Sequence, residues 1–146
     1  MRVLLLGGGH AHIHVLRCAA RAPLGAPGEI ELVLVSPFAF HHYSGMLPGY
    51  LAGRRGEEEL AFDLRRLAAA AGARFVEACA ERIDNGARTV EAGGERLVFD
   101  LLSLDIGSDP AGLAIPGVRE HALTVRPMAR AIVLRRRAAA PSSAAA

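Results

Sequence analysis

Gly7-Gly8-Gly9-His10-Ala11-His12 concentrates more potential chemistry than any other stretch of this chain. It follows a short apolar run, RVLLL at residues 2–6, and opens a segment of helical periodicity. In that setting Gly7 permits a tight turn, and Gly9 lets a pyrophosphate approach the backbone. N–H groups at the start of the helix, which have no partner within it, then point at the anion, and the helix dipole adds to the attraction. Two departures from the G-x-G-x-x-G pattern matter. The third glycine position is His12, so helix and strand are expected to pack less closely there. The second strand ends on Ser36, where an acid commonly holds the ribose hydroxyls. A glycine turn that binds nothing is the alternative reading.

His10, His12 and His14 raise the question of a metal. On a helix His10 and His14 share a face and His12 points elsewhere. An H-x-H pair after a first strand also resembles the metal-dependent amidohydrolases. Those are full barrels of about 200–250 residues, and the lysine they require is missing, since all 17 basic residues here are arginine. No metal ligand is therefore assigned: His10 is read as lining a nucleotide site and His14 as partly exposed. The two cysteines, Cys18 and Cys79, form no C-x-x-C or C-x-x-x-x-C pair and are expected to be buried, reduced thiols. His41-His42 beside Tyr43 are read as loop residues. Arg65-Arg66 and Arg135–Arg137 are read as solvated helix faces, and Glu57–Glu59 as acids compensating a helix dipole.

The elements that must position these residues follow from pattern. Residues 2–6 read as a buried parallel strand and His10 to about Ala22 as a helix, with Ala11, Val15, Cys18 and Ala22 on one face. Residues 29–36 (EIELVLVS) read as a second strand. This is a βαβ unit, whose crossover is right-handed. Phe38–Gly56 reads as loop and Glu57–Ala71 as a helix closed by Gly72. Short β segments follow at 74–78, 80–84, 88–92 and 96–99, with Asn85-Gly86 and Gly93-Gly94 as turns between them. LLSLDIG at 101–107 reads as another buried strand. Met128–Arg137 has the composition of a basic helix and residues 138–146 of a frayed tail.

Composition narrows the function classes. At 146 residues, 51% hydrophobic and 22% charged, the chain suffices for one domain with a core. A net charge of +2 and 5% aromatics with no tryptophan give no footprint for nucleic acid. No run approaches the roughly 20 apolar residues of a membrane span, and no signal peptide is visible, so the chain is read as cytoplasmic.

Four strings carry a more specific resemblance: GGGHAHIHVL (7–16), YSGMLPGYLAG (43–53), DLRRLAAAAGARFVEA (63–78) and FDLLSLDIGSDP (99–110). Together they resemble the N-terminal part of the FAD-dependent pyridine nucleotide-disulfide oxidoreductase superfamily. The likeness is greatest to the NAD(P)H:FAD oxidoreductases associated with or fused to selenide, water dikinase (selenophosphate synthetase), which are themselves similar to type II NADH dehydrogenases. The resemblance spans residues 1–127 and leaves 128–146 as a basic, Ala-rich tail. It implies an α/β fold: a Rossmann-like FAD/NAD(P)-binding domain whose parallel sheet carries a β-meander, incomplete relative to the family.

By the same resemblance Gly7, Gly9, His10 and Ala11 contact the FAD pyrophosphate, and Ser36 and Pro37 flank the adenosine ribose. Met46, Leu47 and Pro48 give apolar contact to the isoalloxazine. Cys79 and Ala80 meet adenine through their backbones. Asp105 and Gly107 stand in the turn that closes over the cofactor, where relatives often carry Ala-Thr-Gly, so Asp105 changes the charge beside the pyrophosphate. Relatives with dithiol chemistry carry a C-x-x-x-x-C pair after the second strand; this chain has none, and no catalytic residue is assigned. The implied function is a FAD-binding segment of an oxidoreductase that passes electrons from NAD(P)H to an unidentified acceptor. The segment is expected to be inactive alone, because relatives continue into a second glycine-rich unit for NAD(P)H. A homodimer or a selenophosphate synthetase-related protein is the implied partner. The alternatives are a stand-alone adenine-dinucleotide module without catalysis and a metal-dependent hydrolase.

Overall fold

The computed structural model of the chain describes residues 1–108, 111–122 and 132–136. β1 (Arg2–Leu6) turns into α1 (His10–Arg21), which returns the chain to β2 (Glu31–Ser36). β3 (Phe40–His42), a 3-10 turn over Ser44–Met46, α2 (Leu47–Leu51), a 3-10 turn over Glu58–Leu60 and β4 (Ala61–Asp63) precede α3 (Leu64–Ala70) and β5 (Arg74–Glu77). β6 (Ala80–Asp84), β7 (Thr89–Ala92) and β8 (Glu95–Val98) form an antiparallel meander. β9 (Leu101–Leu104) and α4 (Val118–His121) follow. The chain divides into two compact units. One is Met1–His41 with Phe62–Gly107, and the other is His42–Ala61 with the described residues from Ser108 onward.

The first unit is built on a four-stranded sheet of order β5-β2-β1-β9 in which each neighbouring pair is parallel. Its inner strands β1 and β2 are apolar on both faces because both faces are covered. Leu4, Leu6, Val33, Val35 and Val76 pack against Val90, Ala92, Leu97 and Phe99 on the meander side. Leu5, Leu32 and Leu34 pack against Ile13 and Leu16 of α1 and Leu64 and Ala68 of α3. The result is the expected parallel sheet with a meander inserted before its last strand.

Several local expectations are corrected. The buried stripe of α1 is His12, Ile13 and Leu16, not Ala11, Val15, Cys18 and Ala22. Both sets have helical spacing, but Ile13 and Leu16 remove far more apolar area from water, at about 25 cal/mol per Å². With Cys18 turned outward, both cysteines are exposed free thiols, contrary to the expected burial. His12 is 1% exposed and does not hold helix and strand apart. Its Nδ1 donates to the Gly7 carbonyl (2.7 Å), and its Nε2 lies 2.9 Å from Ser103 Oγ of β9. A carbonyl only accepts, so Nδ1 carries the proton and the Ser103 hydroxyl donates to Nε2 in the neutral ring.

The expected helix over 57–71 starts only at Leu64, after the extended segment β4. Asp63 is its N-cap and accepts from the Arg66 N–H at 3.0 Å, the strong local start signal. The acids before it serve a different purpose. Glu59 accepts from the Gly56 N–H at 3.0 Å and from Arg55 at 2.9 Å. The backbone bond first, then Arg55, holds its carboxyl below the usual carboxylate range. The loop expected over 38–56 contains α2, started by Pro48 near its first position. β9 is an edge strand, half exposed at Leu101 and Leu104, not a buried one.

In the second unit Tyr50 of α2 is buried, and the Arg135 guanidinium lies over its ring at 4.3 Å. Arg135 also donates to the Arg55 carbonyl at 3.2 Å, so its guanidinium is engaged within the unit, whereas Arg136 beside it is exposed. Residues 132–136 are helical, as the basic stretch predicts; the remainder of the 128–146 tail lies outside the described residues.

Substituting His12→Leu should leave the Gly7 carbonyl and the Ser103 hydroxyl without their partner. An expected loss of about 2–4 kcal/mol follows from two stranded polar groups, whereas Cys18→Ser on the exposed face should stay within about 0.5 kcal/mol. Urea unfolding midpoints of the two variants check both.

Candidate functional site

The sheet order places a topological switch point between β1 and β9. The chain leaves β1 toward β2 on one side and later returns to β9 on the other. Crevices beyond the carboxyl ends of strands at such points are where open α/β sheets bind ligands. Here that position, called the crevice below, is taken by Gly7–Gly9, the amino end of α1, and Asp105–Gly107. Two backbone bonds continue the ladders into it: the Gly7 N–H donates to the Val35 carbonyl and the Asp105 N–H to the Leu6 carbonyl, both at 2.8 Å.

The three glycines meet distinct demands. Gly7 has φ +93°, and a Cβ there would lie 2.2 Å from the Asp105 carbonyl oxygen, so both conformation and space exclude a side chain. A Cβ on Gly8 would meet Leu64 Cδ1 of α3 at 2.3 Å. Gly8 is therefore a packing residue between the turn and α3, a role that the G-x-G pattern does not show. Gly9 has an ordinary φ of −69°, but a Cβ there would fall 2.1–2.2 Å from the carboxylate atoms of Asp105.

That carboxylate is the main electrostatic feature of the crevice. α1 has Gly9 at its N-cap, no side-chain cap and no acid in its first turn. Its amides need an acceptor from elsewhere in the chain. Asp105 supplies it: Oδ2 accepts from the Ala11 N–H at 2.9 Å, and the Asp105 backbone carbonyl accepts from the Gly9 N–H at 3.2 Å. The amino end of α1 thus holds an anion, as the dipole favours, and the anion belongs to the chain itself. The signal for this in sequence is indirect, namely a helix that begins on glycine with no Ser, Thr, Asp or Asn to cap it. His10, at the first helical position, is exposed, and its ring meets that of His41 edge-on at 4.8 Å.

The remaining candidate residues fall into two groups. Ser36 and Pro37 sit at the carboxyl end of β2, beside Gly7 through its bond to Val35. Ser36 is 4% exposed. Its hydroxyl donates to the Phe38 carbonyl at 3.0 Å and accepts from the Phe38 N–H at 3.3 Å, a local turn that occupies both functions. The Ala78 N–H reaches the Ser36 carbonyl at 3.1 Å, so Cys79 and Ala80 begin the meander next to this strand end. Gly107 closes the unit with φ +78° and nothing within 4 Å of a hypothetical Cβ. Met46, Leu47 and Pro48 belong to the second unit, in the 3-10 turn and the first residues of α2. The three histidines do not converge as ligands. Both ring nitrogens of His12 are engaged within the fold, and His14 Nε2 lies 3.5 Å from Cys18 Sγ.

No family model matches the chain. It is 26% identical over 137 residues to the type II NADH:quinone oxidoreductase of Staphylococcus saprophyticus, an alignment that takes in 90% of this chain and 34% of that protein. Among solved structures it is similar to the sulfide:quinone oxidoreductase of Aquifex aeolicus, with a TM-score of 0.79 at 21% identity over 94% of this chain and 31% of the other. NDH2 of Plasmodium falciparum in complex with NADH matches with a TM-score of 0.76 at 15% identity, covering 92% of this chain and 28% of the other. The chain spans about a third of the length of the relatives it matches. These likenesses agree with the resemblance drawn from the motifs, and the fold is the Rossmann-like α/β fold of those neighbours. Among the described residues no helix is long and apolar enough to cross a membrane.

The crevice makes an asymmetric prediction. Gly7→Ala should cost more than about 3 kcal/mol, because strain at positive φ adds to a backbone clash that cannot relax. Gly9→Ala should cost only about 1 kcal/mol, the worth of the Asp105–Ala11 hydrogen bond, since a carboxylate tip can rotate away. Equal losses in chemical denaturation would contradict this account.

Proposed function

We propose that the crevice seats the diphosphate of FAD, and that the chain is the FAD-binding segment of an oxidoreductase that takes electrons from NAD(P)H. One observation carries the reading: at the switch point of a parallel sheet, the uncapped amino end of a 12-residue helix holds a carboxylate in the space that Gly9 leaves open. The donor set fits a phosphate, because amide N–H groups that donate to a carboxylate donate to a phosphate oxygen by the same geometry. The likeness to NADH:quinone and sulfide:quinone oxidoreductases supports the cofactor and the reaction class.

In this reading the backbone amides of His10 and Ala11 bind the diphosphate, Gly9 contributes the room left by its missing side chain while its own N–H stays on the Asp105 carbonyl, and Gly7 gives the turn that aims them. Ser36 and Pro37 border the ribose and Ala80 the adenine, through main-chain groups, since the Ser36 hydroxyl is committed to Phe38. The resemblance gives Met46, Leu47 and Pro48 of the second unit the role of apolar contact with the flavin ring, and Asp105 and Gly107 of the first unit that of the turn over the diphosphate. Bound flavin would supply the two-electron redox chemistry. The residues of this chain bind and orient it, and none is required as an acid or base. Cytoplasmic placement is carried over from the reading of the sequence, and a second copy of the chain or a selenophosphate synthetase-related partner from the resemblance.

A stand-alone module for an adenine dinucleotide is the competing reading, because the proposed seat lies within one unit. Thermal melting with FAD, NAD and ADP separates the two. FAD at about 100 times its Kd should add about 2.7 kcal/mol, or roughly 5–10 °C in Tm, and should exceed NAD. A larger shift with NAD selects the module, and no shift with any of the three overturns the site. The 146-residue chain should show no steady NADH oxidation, because it spans about a third of the relatives that it resembles.

A further inference from the structure

We propose that Asp105 is an internal anion that gates the dinucleotide seat: its carboxylate holds the amino end of α1 and must swing away before a diphosphate can settle. The inference rests on the diphosphate reading above and adds how that site is regulated. Three features of the first unit support it. The carboxylate occupies both the donor and the space: Oδ2 is 2.9 Å from the Ala11 nitrogen, and the carboxyl group fills the lane that Gly9 opens by lacking a Cβ. The backbone beneath it is fixed, with the Asp105 N–H bonded to the Leu6 carbonyl at 2.8 Å and its own carbonyl to the Gly9 N–H at 3.2 Å. Only the side chain is left to move. Third, α1 has no cap of its own, so nothing else nearby in its sequence substitutes for Asp105 when the carboxylate leaves.

Two anions cannot share one helix end without strong repulsion. A diphosphate therefore binds only the fraction of molecules whose carboxylate is turned out, and its apparent affinity falls by that fraction. A carboxylate seated about ten times as often as not weakens binding about tenfold, equivalent to roughly 1.4 kcal/mol. The gate acts on charge. Removing the charge should tighten binding even where the shape of the side chain is kept.

The test compares the full 146-residue chain with Asp105→Asn and Asp105→Ala, titrating FAD and ADP by calorimetry and following hydrogen exchange of the Ala11 amide. Asp105→Ala should bind both ligands about tenfold more tightly, and Asp105→Asn should fall between it and the native protein. The Ala11 amide should exchange faster in ligand-free Asp105→Ala and regain protection on adding ADP. In the native protein it should be protected both with and without ADP. Binding by the native chain that weakens or stays level in both variants overturns the gate and leaves the diphosphate seat standing. Absence of binding by all three proteins at millimolar ligand overturns the seat and the gate together. If circular dichroism shows Asp105→Ala unfolded, Asp105→Asn decides alone, because its amide oxygen still accepts from Ala11 and only the charge is lost.

Discussion

The amino end of α1 is the constraint around which the first unit is arranged. A helix leaves its first amides without partners, and this one begins on glycine, directly over the carboxyl ends of β1 and β9. In this fold they are met by the segment that follows β9. Asp105 meets them with two groups of one residue, its carbonyl to Gly9 and its carboxylate to Ala11. One turn below, His12 ties the same helix to the same two strands through Gly7 and Ser103. The helix is thus fastened to β1 and β9 by polar contacts at its start and by Ile13 and Leu16 further along. The proposed site and the structural joint are one place.

The glycine run shows how such a joint reads in sequence. Gly7 is required by conformation, Gly8 by the Leu64 methyl that takes its space, and Gly9 by the Asp105 carboxyl group. A ligand-based reading of G-x-G explains the first and the third and is silent on the second. The partners that give each glycine its purpose lie 55 to 100 residues away in the chain. What the pattern conveys is that backbone approaches something closely at this turn. Which neighbour it approaches is a property of the tertiary fold.

The same distinction separates what was legible from what was not. β1, α1, β2 and the meander were readable because each is set by local periodicity and turn chemistry, and the apolar runs of β1 and β2 imply cover on both faces. The start of α3 was also locally encoded, in Asp63, but three consecutive acids at 57–59 resemble a first turn and drew the boundary upstream. The exposure of β9 could not be read, since its composition is that of a buried strand and only the strand order puts it at the edge. Cys18 and Ala11 share helical spacing with the true buried stripe, so periodicity alone does not choose between faces. Asp105 was identifiable as a charge at the turn. Its role as a remote cap depends on the meeting of two segments more than ninety residues apart.

A remote cap has consequences that a local one lacks. Had Ser or Asp stood at position 9, α1 would be capped from within, and its Cβ would have closed the lane along which a phosphate could approach. Placing the acceptor just after β9 keeps Gly9 bare, so the space beside it is filled by a side-chain carboxylate and not by a fixed Cβ. The unit can then fold without a ligand, because its helix end is not left stranded. The same arrangement sets ligand binding against a contact that the fold already makes. A dianionic diphosphate offers more acceptor oxygens than the single carboxylate it displaces. A neutral or singly charged group gains little from the exchange. In the proposed reading, a preference for diphosphates over weaker anions therefore follows from the Asp105 side chain as much as from the amides beside it.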